Sequence, residues 1–297
     1  MVAVTGPVAA DVVREDGRGA LADGTTYERT SGEERGPEGF WKRWTRVEGS
    51  SHDGAVRWTE VWWEASDWNG LKELGAEKTG RTAGGAAWRE AWTEKLYLEG
   101  AALEPAVSRT AHKWAQAEAD GEAWEEEWRE TYLEGGLTHK TASKWGRQGA
   151  AAWQERWGEE YDGGGGCVKW TDRWTEEASA HGSNKWGDKW EEIFKDGAGR
   201  KHGETWSDNH GDVFSKKWGE EHLGQGRVHK WGSSNHGEHW DVTEQSGTHY
   251  NPVPHFGFAH AVAHSHELHR VAVLPEEEEA GPEAAADGGL GPGLGLL

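Results

Sequence analysis

The chain has 297 residues and a formal charge of −21, and Leu, Ile, Val and Phe together number only 38. So thin an aliphatic supply excludes an ordinary aliphatic core, while 22 Trp and 44 Gly exclude the aromatic-poor composition of a disordered chain. A field of this sign repels phosphate backbones and anionic lipid, so nucleic acid and membrane surfaces are poor partners and an uncharged ligand suits it better.

In chain order, residues 1–38 are rich in Gly, Ala, Glu, Asp and Arg without sustained periodicity and read as a disordered tail. The stretch from Met1 to Ala20 lacks a basic start followed by an apolar run, so it is no secretory signal, and it is too acidic for an evident transit peptide. Residues 39–273 form one Trp-rich domain. Residues 274–297, acidic and then Gly/Pro-rich, read as a second disordered tail.

The domain repeats Trp-x-acid-x-Trp-x-acid. The copies are Trp58-Glu60-Trp62-Glu64, Trp88-Glu90-Trp92-Glu94, Trp124-Glu126-Trp128-Glu130, Trp153-Glu155-Trp157-Glu159, Trp170-Asp172-Trp174-Glu176 and Trp186-Asp188-Trp190-Glu192. A second signature, Lys-Trp-Gly, begins at Lys144, Lys185, Lys217 and Lys230, and a third, Gly-Glu-x-Trp, at Gly121, Gly203 and Gly237. A spacing of four puts two Trp on one face of either a helix or a strand. Between residues 86 and 135 the sequence is rich in Ala, Glu and Leu, and one or two helices are expected there. From Gly163 to Tyr250, Gly- or Asn-rich breaks recur at hairpin spacing between segments too short to be stable helices. That part reads as antiparallel strands. The expected fold class is therefore mainly β (α+β): an elongated Trp-rich antiparallel sheet with disordered termini.

In a strand the acid lies midway between two Trp standing about 13 Å apart on the same face. In-register neighbours would then rule the sheet with lines of rings and lines of carboxylates. Lys169, Arg173, Lys185 and Lys189, on the second face of their strands, would pair with acids of neighbouring strands or form another binding face. Trp rows could equally be the core of packed sheets, but an acid beside every pair is costly to bury and favours an exposed platform. Indole faces suit the C–H face of a pyranose, and carboxylates accept hydrogen bonds from its hydroxyls. A repeated array suits a long, neutral, periodic ligand such as a polysaccharide. The expected stacking residues are Trp58, Trp62, Trp124, Trp128, Trp145, Trp153, Trp157, Trp170, Trp174, Trp186, Trp190, Trp206, Trp218, Trp231 and Trp240. The expected hydroxyl acceptors are Glu155, Glu159, Asp172, Glu176, Asp188 and Glu192.

The stretches KWTDRW (169–174), NKWGDKWEE (184–192), GETW (203–206), KKWGEEHLGQGRVHKWGSSNHGEHWD (216–241) and PHFGF (254–258) resemble the Trp-rich domain of the plant and algal Early Starvation family. The upstream stretch 58–92 is more similar to its Like Early Starvation branch. The resemblance covers roughly residues 40–271. It implies a non-catalytic protein of the plastid stroma and starch granule that binds starch glucans, amylose or amylopectin, and organises or protects amylopectin. It also implies an extended antiparallel sheet whose aromatic lines lie along glucan double helices.

Other chemistries fare less well. A glycosidase needs one singular carboxylate pair with an environment that shifts one pKa, whereas these acids come in near-identical copies. The alternative from another class is a granule-associated scaffold whose Trp rows recruit other proteins. Cys167 stands alone, so no intrachain disulfide or Cys-based zinc site is available. His-rich tracts such as His260, His264, His266 and His269 are expected to be solvated rather than metal ligands, and no cofactor is expected. Gly163–Gly166 lacks the Gly-Lys-Ser/Thr of a phosphate loop and reads as a hairpin turn.

Overall fold

The computed structural model describes residues 15–117, 121–180, 182–246 and 256–275. In chain order the strands are β1 (Gly17–Ala20), β2 (Thr26–Arg35), β3 (Trp41–Ser50), β4 (Val56–Ser66), β5 (Lys72–Thr82), β6 (Ala87–Glu99), β7 (Glu104–Gln116) and β8 (Ala123–Leu133). They continue as β9 (Leu137–Gln148), β10 (Ala151–Asp162), β11 (Cys167–Ser179), β12 (Gly182–Lys195), β13 (Ala198–Asn209), β14 (Asp212–Gly224), β15 (Arg227–Ser234) and β16 (His239–Gln245). Two short helices follow, α1 (Phe258–His264) and α2 (His266–Arg270).

All sixteen strands belong to one open antiparallel sheet, each hydrogen-bonded to its neighbours in sequence. At about 4.8 Å per strand the sheet is roughly 70 Å wide. Tight reversals make this possible. Between β12 and β13 the two-residue turn Asp196-Gly197 has φ of 53° and 80°, the positive pair that matches the twist of a hairpin.

Two expectations are corrected. Residues 86–135 hold no helix among the described residues; they form β6, β7 and β8. Their Ala and Glu are weak strand formers, but Glu90, Glu94, Glu126 and Glu130 each stand opposite a base of a neighbouring strand, as with Glu90 between Lys78 and Lys113. Tertiary pairing overrides local propensity. The stretch 1–38 contains β1 and β2, tied by the Asp16 carboxylate, which accepts hydrogen bonds from the Ser31 hydroxyl (2.6 Å) and Arg29 (2.5 Å). Residues 1–14 and the tail after Pro275 lie outside the described residues.

A small core forms where the sheet meets the C-terminal segment. Leu268 and Val271 pack on Trp41, Leu74 and Leu96. Ala261 and Val262 pack on Val107 and Tyr132, and Phe256 meets the edges of Tyr132 and Tyr161. Arg109 holds the segment by donating to the Ala261 carbonyl (3.0 Å) and the Ser265 hydroxyl (3.1 Å).

Candidate functional site: a sheet ruled on both faces

Directly paired residues of an antiparallel sheet share a face, so the register fixes where each indole points. Trp153 and Trp157 of β10 pair with Thr175 and Thr171 of β11, and those pair with Trp186 and Trp190 of β12. The β11 indoles therefore lie on the opposite face from those of β10 and β12. Neighbouring repeats do not align ring beside ring, as the sequence suggested; rows recur at every second strand.

On the first face two rows cross the strands. One holds Trp58, Trp88, Trp124, Trp153 and Trp186, with Gly80, Ala115, Gly146 and Thr175 between them. The other holds Trp62, Trp92, Trp128, Trp157, Trp190, Trp218 and Trp240, separated by Ala76, Ala111, Ala142, Thr171, Gly203 and Gly232. Rings along a row are about 9.6 Å apart, two strand spacings, and the rows are about 13 Å apart. The second face carries Trp114, Trp145, Trp174 and Trp206 in one row and Trp170 and Trp231 in another. Trp44 and Trp63 pair directly at its far end.

Glycine explains why rings can lie against the sheet. A Cβ built on Gly80 would come within 1.9 Å of the Trp88 ring, on Gly158 within 2.5 Å of Trp170, and on Gly232 within 2.1 Å of Trp240. Each of these indoles covers the bare backbone of the preceding strand. Lys-Trp-Gly thereby acquires a meaning: its Trp serves one face while its Gly, on the other, receives the indole of the next strand. Gly146 receives Trp153, Gly187 Trp206, Gly219 Trp231 and Gly232 Trp240. Gly-Glu-x-Trp divides, because Gly203 lies under Trp218 whereas Gly121 and Gly237 are positive-φ turn residues.

On the first face two lines of alternating charge flank the second Trp row, one between the two rows and one on its far side. The inner one reads Glu60, Lys78, Glu90, Lys113, Glu126, Lys144, Glu155, Arg173 and Asp188 across β4 to β12. Contacts along it include Lys78–Glu60 (2.9 Å), Lys144–Glu126 (3.0 Å) and Arg173–Asp188 (2.5 Å). The expected hydroxyl acceptors thus come partnered. Asp172 receives Arg156 (2.5 Å), Glu176 faces Lys185 (3.8 Å) and Glu192 faces Lys201 (4.0 Å). Glu159 accepts from the Tyr161 hydroxyl (3.1 Å), and Glu155 stands between Lys144 and Arg173 in register. A carboxylate has about four lone-pair sites, so one ion pair leaves capacity for a ligand hydroxyl. On these positions the notion of bases pairing across strands holds for Arg173 and Lys185, and Lys189 reaches Glu204 (3.3 Å).

Exposure sorts the expected stacking residues. Trp124, Trp145, Trp153 and Trp186 are exposed, and most of the others are half-buried, one side on the sheet and one open. Trp58 is corrected: it is 6% exposed, packed with Val47 and Trp88, and works as core. Trp92, which the sequence reading left off its list of stacking residues, is 45% exposed in the second row of the first face. Trp114, also left off, is half-buried in a row of the second face. It belongs to none of the three repeated signatures, so no spacing marks it.

On the second face a chain of polar contacts holds Trp145. Its indole N–H donates to Glu125 (2.7 Å), whose other oxygen meets His112 Nε2 (2.7 Å), and His112 Nδ1 faces Arg89 (2.7 Å). The hydrogen bond from His112, then that from Trp145, holds the Glu125 carboxyl below the usual range. Among the described residues no group of three or more His, Cys, Asp or Glu is placed to hold a metal ion; the rings of His260 and His264 lie 4.0 Å apart, tilted by 32°.

These features define a class of protein: an open, repetitive sheet that spends most of its Trp on its two faces and only a few on a small core. The chain belongs to the Like early starvation, chloroplastic family, whose pattern matches residues 19–257. It is 42% identical over 264 residues to EARLY STARVATION 1, chloroplastic, of Arabidopsis thaliana, covering 89% of this chain and 61% of that protein. It is 44% identical over 257 residues to the Marchantia polymorpha protein of the same name, covering 86% and 44%. LIKE EARLY STARVATION, chloroplastic, of Arabidopsis thaliana is 44% identical over 127 residues, 43% of this chain and 22% of that one. The chain thus spans less than two thirds of the length of these relatives. No solved structure matches it.

Proposed function

We propose that this protein is a non-catalytic, multivalent binder of starch glucans, acting in the plastid to organise or protect ordered amylopectin. The observation that carries this reading is the second Trp row of the first face, seven indoles recurring at every second strand from Trp62 to Trp240 with charged lines alongside. Each ring offers a flat apolar face, and each charged line offers donors and acceptors to hydroxyls. A single stacked sugar is held weakly, but rings fixed on one rigid sheet act at high effective concentration on a chain that spans them. The acids occur as repeats inside ion-paired lines, an arrangement for repeated contact and not for a single reacting bond. Rows on both faces would let one molecule hold two glucan helices side by side. The names of the relatives, with their reference to starvation and to the chloroplast, support the starch and plastid parts of the reading.

The test is co-sedimentation with insoluble glucans. Wild type should pellet with starch granules more than with gelatinised starch or cellulose. A folded Trp128→Ala, Trp157→Ala, Trp190→Ala variant should stay in the supernatant. Wild type that remains soluble with every glucan would hand the rows to protein partners and the scaffold reading.

A further inference from the structure

The second face interrupts its own pattern. In the row of Trp170 and Trp231 the odd strands β11, β13 and β15 present Trp170, His202 and Trp231. The middle indole of the series is replaced by histidine. The two remaining rings stand about 19 Å apart, four strand spacings, and between them lies a groove of ≈ 1110 Å³. Its floor is polar and paired: His202 faces Glu191 (4.0 Å), Arg200 donates to Glu221 (3.2 Å) and Lys189 meets Glu204 (3.3 Å). Its far wall is built in layers, with Trp231 covering Gly219 and His229 stacked on the Trp231 ring at 5.0 Å. His229 is fixed in turn by Asp241 (2.9 Å). On the first face the intervening even strands β12, β14 and β16 carry Trp190, Trp218 and Trp240 without a gap.

We propose that this groove is a second, separate glucan site, which takes one free α-glucan chain end or branch instead of a packed granule surface. The inference rests on the glucan-binding reading above and adds a division of labour between the faces. An uninterrupted row meets a ligand only from above, as an ordered surface presents itself. A chain laid across the recess stacks one sugar on the open face of Trp170 and another on that of Trp231, while hydroxyls of the sugars between them reach the polar floor. Polar groups at the bottom and rings at the sides are the composition of a sugar cleft; a protein-docking patch would be apolar at its centre. The histidines in the C-terminal half of the sequence find a role here, as flat rings whose nitrogens form hydrogen bonds.

The experiment measures the full chain against a soluble linear maltooligosaccharide by calorimetry, and against starch granules by sedimentation. Trp170→Ala with Trp231→Ala should weaken soluble-chain binding roughly tenfold or more, about 1.4 kcal/mol, while granule retention stays near wild type. Trp128→Ala with Trp157→Ala should do the reverse. His202→Ala with His229→Ala, which leaves every indole in place, should repeat the loss for the soluble chain and guards against misfolding. Equal loss of both ligands in all variants, or soluble-chain binding unchanged by the groove substitutions, overturns the proposal. Wild type that pellets with granules but ignores the soluble chain sinks the groove alone. Wild type that binds no glucan sinks the glucan reading itself.

Discussion

The Trp218 ring covers the backbone of Gly203 so closely that a Cβ there would stand 2.7 Å from Cζ2 of the indole and 2.7 Å from the Lys189 carbonyl oxygen. In an ordinary strand, glycine to alanine gains stability by restricting the unfolded chain. Here the sign reverses. Gly203→Ala should cost about 1–3 kcal/mol, as overpacking does, and should lift Trp218 off the sheet. Urea denaturation and the Trp fluorescence maximum check both parts; a stabilised variant would remove glycine from its role as a seat for the ring.

The charged lines should matter less to stability than their regularity suggests. Arg173 and Asp188 lie 2.5 Å apart, but the Arg173 side chain is 60% exposed. A double-mutant cycle with Arg173→Met and Asp188→Asn is expected to give about 0.2–1 kcal/mol of coupling, falling as salt is added. A much larger, salt-independent coupling would mean the lines hold the sheet together.

Acid should release Trp145 before it unfolds the sheet. Glu125 has a pKa lowered from 4.5 by His112 and by the Trp145 indole. A depressed folded pKa means its contribution is complete above the unfolded value and is lost as pH falls through the folded one. The Trp145 indole N–H resonance should therefore hold steady at neutral pH and shift only below the ordinary carboxylate range. In Glu125→Gln the shift should vanish. A midpoint at or above 4.5 would contradict the hydrogen-bonded arrangement.

Leu268, 1% exposed against Trp41 and Leu96, is the pin of the C-terminal segment. Leu268→Ala should cost about 2–5 kcal/mol if that segment and the sheet unfold together. Thermal unfolding followed by circular dichroism reads the loss. A near-neutral result would show that α2 detaches without the sheet noticing.

Strand content, turn positions and the Trp-acid repeat were legible in the sequence because they depend on period-two alternation and on local turn chemistry. Residues 86–135 misled because Ala, Glu and Leu report local propensity, while Glu90 and Glu126 answer to Lys113 on the strand between them. The alternation of faces was hidden for another reason. Whether Trp170 joins Trp157 or opposes it depends on the register across the turn at residues 163–166, and one residue more or less would put the rings together. The buried state of Trp58 depends on Val47 and Trp88 meeting it, contacts that no spacing announces. The paired state of Asp172 and Asp188 follows from the same register.

In the meander each strand touches only the strands before and after it in sequence, so the sheet behaves as a zipper whose teeth engage one after another. The exception is the stretch that returns from beyond β16 to β4, where the Ser66 hydroxyl donates to the Ala272 carbonyl (2.6 Å) and the Trp68 indole to that of Leu274 (2.8 Å), both across 206 positions of chain. That return is the buckle on the zipper. Together with the packing of α1 and α2 on the sheet, it lets the late part of the chain report to the early part that folding is complete. Hairpins could be added to or dropped from the middle of the ribbon, lengthening or shortening every Trp row by whole rungs, so long as the strap still reached its catch.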